Sequence, residues 1–451
     1  MKETRVNQKI KNLIPGVVMG LLVSAFLFMR SVGAAEPEVL SSDQFGSLLT
    51  LDEAVTRALE GDPEVKRAFA RLHKEETLYK GSRSEFFPKL SAETFAAFAT
   101  GDKRFVDFLE TGIEQPIFQG GKAAAGRKKH ETIVSAERIK LDQAKFDIEC
   151  AIRVLYARVL EEKELTRIAQ DEVKELLTEH ARIKKLKEME ALPLSEFFRI
   201  ETLLAAAKQT LVEHKESYDY LLTVLKETVG MADGESLELE PLGDLPKLSE
   251  NVSFYIDISR RHDPLYKLKD LQIKEKQFEK RELEADRFPQ LSLSAKWNRL
   301  NDVFADTNRL MVGVTGKWNI WDFGRLGAQI SAKSHEIEET KWEGELQVRK
   351  HEQEIRKIFH ETRSVREKIQ LAEALIRERQ EIYKNEKTKL IAGEKGAAEL
   401  IDSFVALEEA KIKQVDALSE CRLLFIKLGR ETGFKPFAED LTGRFGTEAG
   451  Q

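Results

Sequence analysis

An internal duplication limits the folds that this chain can adopt, and it is visible in short motifs that recur at a nearly constant distance. Asp62-Pro63 recurs as Asp263-Pro264, and Phe87–Ser91 recurs as Phe288–Ser292, both at a displacement of 201 residues. Other motifs recur at a displacement of 203 residues. An offset that stays nearly constant over such a length indicates a tandem duplication, so both halves are expected to form the same arrangement of elements.

Each half predicts the same succession of elements: a helix, two strands, a very long helix and a further helix. In the first half the elements are expected at 52–86, 89–98, 105–117, 120–188 and 194–229. In the second half the helices are expected at 254–287, 324–392 and 397–428. Gly230 and Gly429 stand where the last helix of each half is expected to end.

The length of the predicted long helices excludes an ordinary globular domain. A helix over 120–188 or 324–392 contains 69 residues, which at about 1.5 Å per residue is on the order of 100 Å. The shorter helices of the two halves total 71 and 66 residues, so two of them placed end to end match one long helix. We therefore expect an extended assembly, although a plain coiled-coil rod would show the same helix pattern.

The strand segments alternate between apolar and polar residues, as strands with one apolar and one wet face do. In the third strand, Leu291, Leu293, Ala295 and Trp297 share one face. Each strand has about ten residues, the length that a tilted strand needs to span a bilayer. Four strands cannot close a barrel, and hydrocarbon does not tolerate an open edge. Strands that span a membrane would therefore need a barrel shared by several subunits, and three subunits would supply twelve strands.

Tryptophans are concentrated around the strands, since Trp297, Trp318 and Trp321 lie in or beside them. An aromatic girdle at the membrane interface would explain this placement, so these three residues are predicted to be membrane-interface aromatics. Strands of a soluble sandwich also contain Trp, so the pattern alone leaves a sheet outside the membrane as an alternative.

The amino-terminal segment has the pattern of a secretory signal peptide. A basic start precedes an apolar run over about 13–29, and the small residues of Val32–Ala35 follow where a signal peptidase would cleave. An uncleaved membrane anchor is the alternative. After this segment no apolar run is long enough for a transmembrane helix, so a membrane role would depend on the strands.

Composition and motifs argue against catalysis and against nucleic acid as a partner. Charged residues make up 33% of the chain and aromatic residues 8%, which suits long amphipathic helices, and the net charge of −6 is too weak to indicate nucleic-acid binding. The eight histidines are scattered and no hydrolase, metalloprotease or phosphate-binding motif occurs. We expect no enzyme activity, no cofactor and no metal site.

The chain has two cysteines, Cys150 and Cys421. On the predicted helices they lie at heights that differ by roughly 20 Å, at about 1.5 Å per residue. A disulfide needs Cα atoms within about 7 Å, so two free, buried thiols are predicted.

These features together resemble the TolC family of outer-membrane efflux proteins. The resemblance runs from about Leu49 to Gly429 and includes Leu51–Ala54, both Phe-Pro-x-Leu-Ser strand starts and the strand-to-helix corners. The corner Trp321–Gly324 is similar to the signature of the family's second repeat. The resemblance implies a mainly α fold of tandem-duplicated long helical hairpins in a trimeric α-barrel, with four strands per subunit in a shared twelve-stranded transmembrane β-barrel.

The resemblance also implies a channel gate. Family members are constricted by acidic residues just after the helix break of the second repeat, and Glu399 and Asp402 occupy that place. Their spacing would place both carboxylates on one helix face, although two solvated acids on a charged helix would look the same. Lys395 matches a basic position of the gate. Leu390 falls where some members have a Tyr, so no hydrogen-bonded latch is expected there.

Adaptor-docking tips are implied at the two helix breaks, although a helix break needs Pro or Gly in any case. The residues assigned to them are Leu192, Pro193, Leu194, Ser195, Gly393 and Gly396. Implied partners are a homotrimer of this chain, a periplasmic adaptor (membrane fusion) protein, an inner-membrane pump of the RND, ABC or MFS type, and outer-membrane lipid.

The expected organisation is a signal peptide at 1–35, a first repeat at 36–230, a linker at 231–250, a second repeat at 251–430 and a tail at 431–451. The predicted function is that of a passive outer-membrane duct of a tripartite efflux or type I secretion system, located in the outer membrane with a large periplasmic part. A periplasmic coiled-coil protein that never enters the membrane is the alternative.

Overall fold

The computed structural model describes residues 48–99, 104–189, 193–232, 237–302, 305–391 and 397–433. The predicted signal peptide at 1–35 and the residues beyond 433 lie outside this described part. Within it, no helix combines the length and the apolar character needed to cross a membrane.

The two repeats contain the same elements in the same order. The first consists of α1 (Leu51–Gly61), α2 (Pro63–Gly81), a 3-10 turn (Ser82–Phe86), β1 (Lys89–Ala99), β2 (Arg104–Phe118), α3 (Lys122–Glu188) and α4 (Leu194–Thr228). The second consists of α5 (Val252–His262), α6 (Pro264–Ala285), β3 (Gln290–Asp302), β4 (Ala305–Lys317), α7 (Arg325–Ile391) and α8 (Ala397–Thr432). The predicted fold class, mainly α with duplicated long hairpins and a small four-stranded part, is confirmed.

The first helix of each repeat is broken, so the prediction of single helices over 52–86 and 254–287 is wrong. Asp62 has extended backbone angles, and its Oδ1 accepts hydrogen bonds from the backbone N–H groups of Glu64 and Val65 at 2.7 and 3.2 Å. Pro63 takes the first helical position, where its missing N–H costs nothing. Asp263 caps α6 in the same way. The recurring Asp-Pro pair therefore ends one helix and starts the next.

Glycines end the last helix of each repeat, but at different places. Gly230 follows α4 with a φ of 73°, and the backbone N–H of Met231 donates to the carbonyl of Lys226 at 2.9 Å, a typical glycine stop. Gly429 was expected to do the same for α8 and does not. The helix continues to Thr432, which is buried, and it ends at Gly433, whose φ is 69°. Packing of the last turn outweighs the weak helix propensity of Gly429.

The shorter helices pack along successive lengths of the long ones. Near the start of α3, Val134 and Leu141 share a buried cluster with α2, and near its end Leu176 and Ile183 share another with α4. Between these two clusters Tyr156 is fully buried, and its hydroxyl donates to the carbonyl oxygens of Leu49 at 2.9 Å and Glu240 at 2.8 Å. Two short helices therefore cover one long helix, as their lengths predict.

The strands form one antiparallel sheet in the order β1-β2-β3-β4. The cross-strand partners place Ala295 between Ile113 and Val312, and Leu293 opposite Val314. These apolar side chains share one face of the sheet, where Val312 and Val314 are 68% and 65% exposed. On the other face the ammonium group of Lys296 donates to Glu110 at 2.7 Å. The predicted alternation thus produces a sheet with one apolar and one polar face.

Both cysteines are free and buried, as predicted. Burial among Ala157 and Ile426 raises the pKa of Cys150 to about 12, and the neighbouring Glu149 carboxylate adds to the shift. Burial also raises the pKa of Cys421 to about 11. These thiols are therefore packing residues with little nucleophilic character.

Candidate functional site

The ends of the long helices lie side by side. Phe197 and Ile200 of α4 share one buried cluster with Ile401 and Phe404 of α8 and with side chains of α3, and Tyr383 of α7 packs against it. The cluster therefore brings together the regions that flank the α3–α4 and α7–α8 connections. The residues predicted for the gate and for the docking tips belong to this one end of the helical part.

The two predicted gate acids project from the same exposed side of α8. Glu399 and Asp402 are exposed, whereas Leu400 and Ile401 between them are only 1% and 2% exposed. Among the described residues Glu399 forms no ion pair. Lys395, the third predicted gate residue, lies outside the described part of the chain.

Asp402 is ion-paired with Arg199 of α4, a partner that the sequence pattern did not identify. Both side chains are about half exposed. Glu196, one turn before Arg199, is the first-repeat counterpart of Glu399, and its Oε2 is enclosed without a hydrogen-bond partner among the described residues. Both repeats therefore place charged side chains at this end of the helices, and an ion pair joins the two repeats there.

A hydrogen-bonded network connects the long helices of the two repeats close to the same end. The hydroxyl of Tyr383 on α7 donates to Glu175 of α3 at 2.5 Å. Lys387, one turn further along α7, donates to the same carboxylate oxygen at 3.0 Å and to the Tyr383 hydroxyl at 3.2 Å. Leu390 is buried, and Tyr383 lies two turns earlier on the same helix face.

The pKa values of the two partners of this network, Glu175 and Tyr383, shift in opposite directions. The hydrogen bond from Tyr383 lowers the pKa of the Glu175 carboxyl, with a further contribution from Lys387 that outweighs partial burial. Burial raises the pKa of Tyr383 to about 12, and the nearby Glu175 charge adds to the shift. The network therefore holds an ionised glutamate and a neutral tyrosine, which is the arrangement that gives a strong charge-assisted hydrogen bond.

The predicted docking tips are only partly described. Leu192, Gly393 and Gly396 lie outside the described residues. Pro193 immediately precedes α4, and the first residues of that helix, Leu194 and Ser195, are exposed, as is Phe198, a turn later. Behind them the ammonium group of Lys187 lies 3.7 Å from the centre of the Phe197 ring. The described tip therefore presents apolar side chains to solvent above a cation–π contact.

The predicted interface aromatics lie at the other end of the molecule, on and below the sheet. Trp297 is 36% exposed, Trp318 55% and Trp321 76%. The indole N–H of Trp318 donates to the backbone carbonyl of Arg287 at 3.1 Å, which fixes the ring beside the turn between α6 and β3. All three rings are therefore partly or largely open to the surroundings.

Comparison with known proteins identifies the second repeat. Residues 271–428 match the family model described as outer membrane efflux protein. The chain carries an outer membrane efflux protein domain. The predicted resemblance to the TolC family and the predicted outer-membrane location are thereby confirmed, and the chain is a transport protein rather than an enzyme. No curated protein sequence matches it.

Solved outer-membrane proteins share the fold. CusC, described as forming a transmembrane channel, matches with a TM-score of 0.74 at 11% identity, over 85% of this chain and 92% of its own. VceC from Vibrio cholerae matches with a TM-score of 0.73 at 13% identity, over 85% of this chain and 96% of its own. The open state of the MtrE channel from Neisseria gonorrhoeae matches with a TM-score of 0.70 at 15% identity, over 85% of this chain and 89% of its own. The chain therefore has the fold of these solved structures along most of its length.

Proposed function

We propose that this outer membrane efflux protein is one subunit of a homotrimeric channel that passes cargo across the periplasm and the outer membrane. The observation that supports the proposal best is the sheet. Its apolar face is exposed, and β1 and β4 have no further strand beside them within the described residues. A lipid-facing sheet requires closed edges, and three copies would close a twelve-stranded barrel.

The duct is passive in this proposal. The helices α3 and α7 each contain 67 residues, on the order of 100 Å at about 1.5 Å per residue, enough to line a tunnel through the periplasm. Free energy for transport would come from an inner-membrane pump of the RND, ABC or MFS type, joined through a periplasmic adaptor (membrane fusion) protein. Efflux and type I secretion both fit such a duct.

The gate is proposed at the end of the tunnel remote from the sheet. In a trimer, Glu399 and Asp402 would each contribute a ring of three carboxylates, which attract cations and repel anions. Lys395 would lie at the same constriction. The connections at Leu192–Ser195 and at Gly393–Gly396 are proposed as docking tips for the adaptor. The pair Arg199–Asp402 and the network around Tyr383 would hold the helices in the closed arrangement.

The first experiment is a native mass measurement on protein extracted with detergent from isolated outer membranes. The full chain has a mass of 51.5 kDa, and a mature subunit without its signal peptide is lighter. A mass near three times that of the mature subunit supports the shared barrel. A soluble periplasmic monomer or dimer favours the coiled-coil alternative, which leaves the apolar face of the sheet without a role.

A matched pair of variants tests the membrane face directly. Val314 lies on the apolar face of β4, and Thr315 lies next to it on the polar face. V314R would place a charge against lipid at a cost of up to about 2–4 kcal/mol per subunit, depending on depth, and should reduce the amount of trimer in the outer membrane. T315R should be tolerated. Equal yields from both variants would contradict a lipid-facing sheet.

A further inference from the structure

The junctions between strands and helices meet at the end of the sheet that faces the helices. β1 and β3 start at this end and β2 and β4 finish there, with Gln290 opposite Lys317. The corner after β2 packs against the turn before β3 so closely that a Cβ on Gly120 would lie 2.6 Å from the carbonyl oxygen of Ala285. The four junctions therefore form one continuous surface, here called the junction belt, made of residues 83–89, 114–122, 286–290 and 317–325.

Aromatic side chains of the junction belt are strongly exposed. Phe87 is 61% exposed, Trp321 76% and Phe323 91%. Phe323 has a φ of 56°, in the left-handed region that a bulky residue rarely adopts. The carboxylate of Asp322 supports this corner, because it accepts hydrogen bonds from the backbone N–H groups of Gly324 and Leu326 at 3.1 and 2.8 Å. The corner thus holds an aromatic ring outward, where nothing in the described chain covers it.

Most acids of the junction belt are already engaged. Glu85 is paired with Lys89 at 3.4 Å, and Asp286 is paired with Lys122 at 2.9 Å. Asp322 caps its own corner. The remaining acid, Glu114, is opposite Lys89 in the register of β1 and β2. It follows Ile113 of the apolar face, so it lies on the polar face of the sheet.

The cations of the junction belt outnumber these acids. Four exposed basic side chains of the belt form no ion pair with any described residue: Arg83, Arg287, Lys317 and Arg325. The surface therefore carries uncompensated positive charge directly beside its exposed aromatic rings.

We propose that the junction belt binds anionic phospholipid headgroups in the leaflet that faces the helices. Aromatic rings prefer the interface between headgroups and hydrocarbon, and basic residues beside a membrane attract anionic lipids. The inference rests on the proposed membrane position of the sheet. Charge complementarity favours this occupant over a second copy of the chain, which would have to leave these cations buried or find acids for them.

The test uses the full-length trimer in vesicles of phosphatidylethanolamine and phosphatidylglycerol, with bromine near the headgroup of one lipid at a time. Brominated lipid quenches tryptophan fluorescence on contact, and Trp318 and Trp321 report from the belt. We expect phosphatidylglycerol to quench about tenfold more effectively at equal proportion, because several basic residues act together. Raising the salt from 50 to 500 mM should reduce this preference in the unmodified protein.

The variant R287Q/K317Q/R325Q should reduce the preference for phosphatidylglycerol to less than about twofold. Its control, K184Q/K185Q/K208Q, removes three exposed positive charges at the other end of the helices and should retain the preference. Efficient quenching by both lipids without preference or salt dependence overturns the inference and leaves the membrane position intact. Absence of quenching by either lipid contradicts the membrane position as well. Loss of the trimer in the belt variant alone would identify a subunit contact and also overturn the inference.

Discussion

Arg199 of α4 and Asp402 of α8 occupy the same position in the two repeats, 203 residues apart, and their side chains form an ion pair. Opposite charges at equivalent positions thus become a link between the repeats. Because both side chains are about half exposed, the pair is worth at most about 1 kcal/mol of folding free energy. A role in gating can therefore be tested without unfolding the protein.

The acidic gate predicts that E399A/D402A increases single-channel conductance and weakens block by divalent or trivalent cations. Since Asp402 has Arg199 as a partner and Glu399 has no partner among the described residues, E399Q alone should weaken the block more than D402N. Conductance of the purified trimer in planar bilayers measures both effects. The control is E409Q, an exposed acid further along α8. Unchanged conductance and block in E399A/D402A would refute the acidic gate.

The network between the long helices predicts that Y383F shifts the channel toward its open state. The substitution removes the hydrogen bond to the ionised Glu175, which at about 1.5–3 kcal/mol changes the ratio of open to closed channels roughly tenfold or more. Open probability in planar bilayers is the readout. Tyr220 is 67% exposed and makes no hydrogen bond within the described residues, so Y220F serves as the control. The same open probability in Y383F and the unmodified protein would exclude a latch at this position.

The docking tips predict that S195E or K395E impairs export and leaves the trimer intact. A new negative charge at Ser195, or a reversed charge at Lys395, weakens association at an interface mainly through lost electrostatic complementarity. Export in cells and native mass after extraction are measured together. S135E places the same charge on an exposed site of α3, roughly 80 Å from the tip at about 1.5 Å per residue, and should export normally. Normal export in both tip variants would argue against docking there.

A buried ionic cluster anchors the end of α8. The imidazole of His351 on α7 lies 3.1 Å from Asp263 and 3.2 Å from Glu431, and the hydroxyl of Ser259 lies 2.9 Å from its Nε2. Burial alone would lower the pKa of His351, but the hydrogen bonds and charges of the two carboxylates outweigh it and raise the pKa to about 9. The protonated form therefore stabilises the fold.

The raised pKa of His351 predicts a loss of stability at alkaline pH. The contribution is complete below the unfolded pKa of about 6.5 and disappears as the pH rises through about 9, and it is on the order of 3 kcal/mol. The melting midpoint of the helices, followed by circular dichroism between pH 6 and pH 10, should fall more in the unmodified protein than in H351Q. The exposed His335 provides the control H335Q. Parallel pH curves for H351Q and the unmodified protein would contradict the assignment.

Much of the fold could be predicted from periodicity and repetition. The duplication, the long helices and the alternating strands all leave a pattern in a single chain, because helix and strand faces recur every 3.6 and 2 residues. The breaks at Asp62 and Asp263 leave a local signal as well, since Asp followed by Pro is a helix start. That signal could have corrected the prediction of continuous first helices.

The order of the elements, their lengths and the apolar face of the sheet can all be read from the chain, because these depend on local spacing. Which charged groups meet at the ends of the long helices depends instead on how the helices pack. The pairing of Arg199 with Asp402, and of Tyr383 with Glu175, depends on the rotation and axial offset of separate helices. One residue turns a helix by about 100°, so small offsets between helices decide every such contact and leave no pattern along the chain.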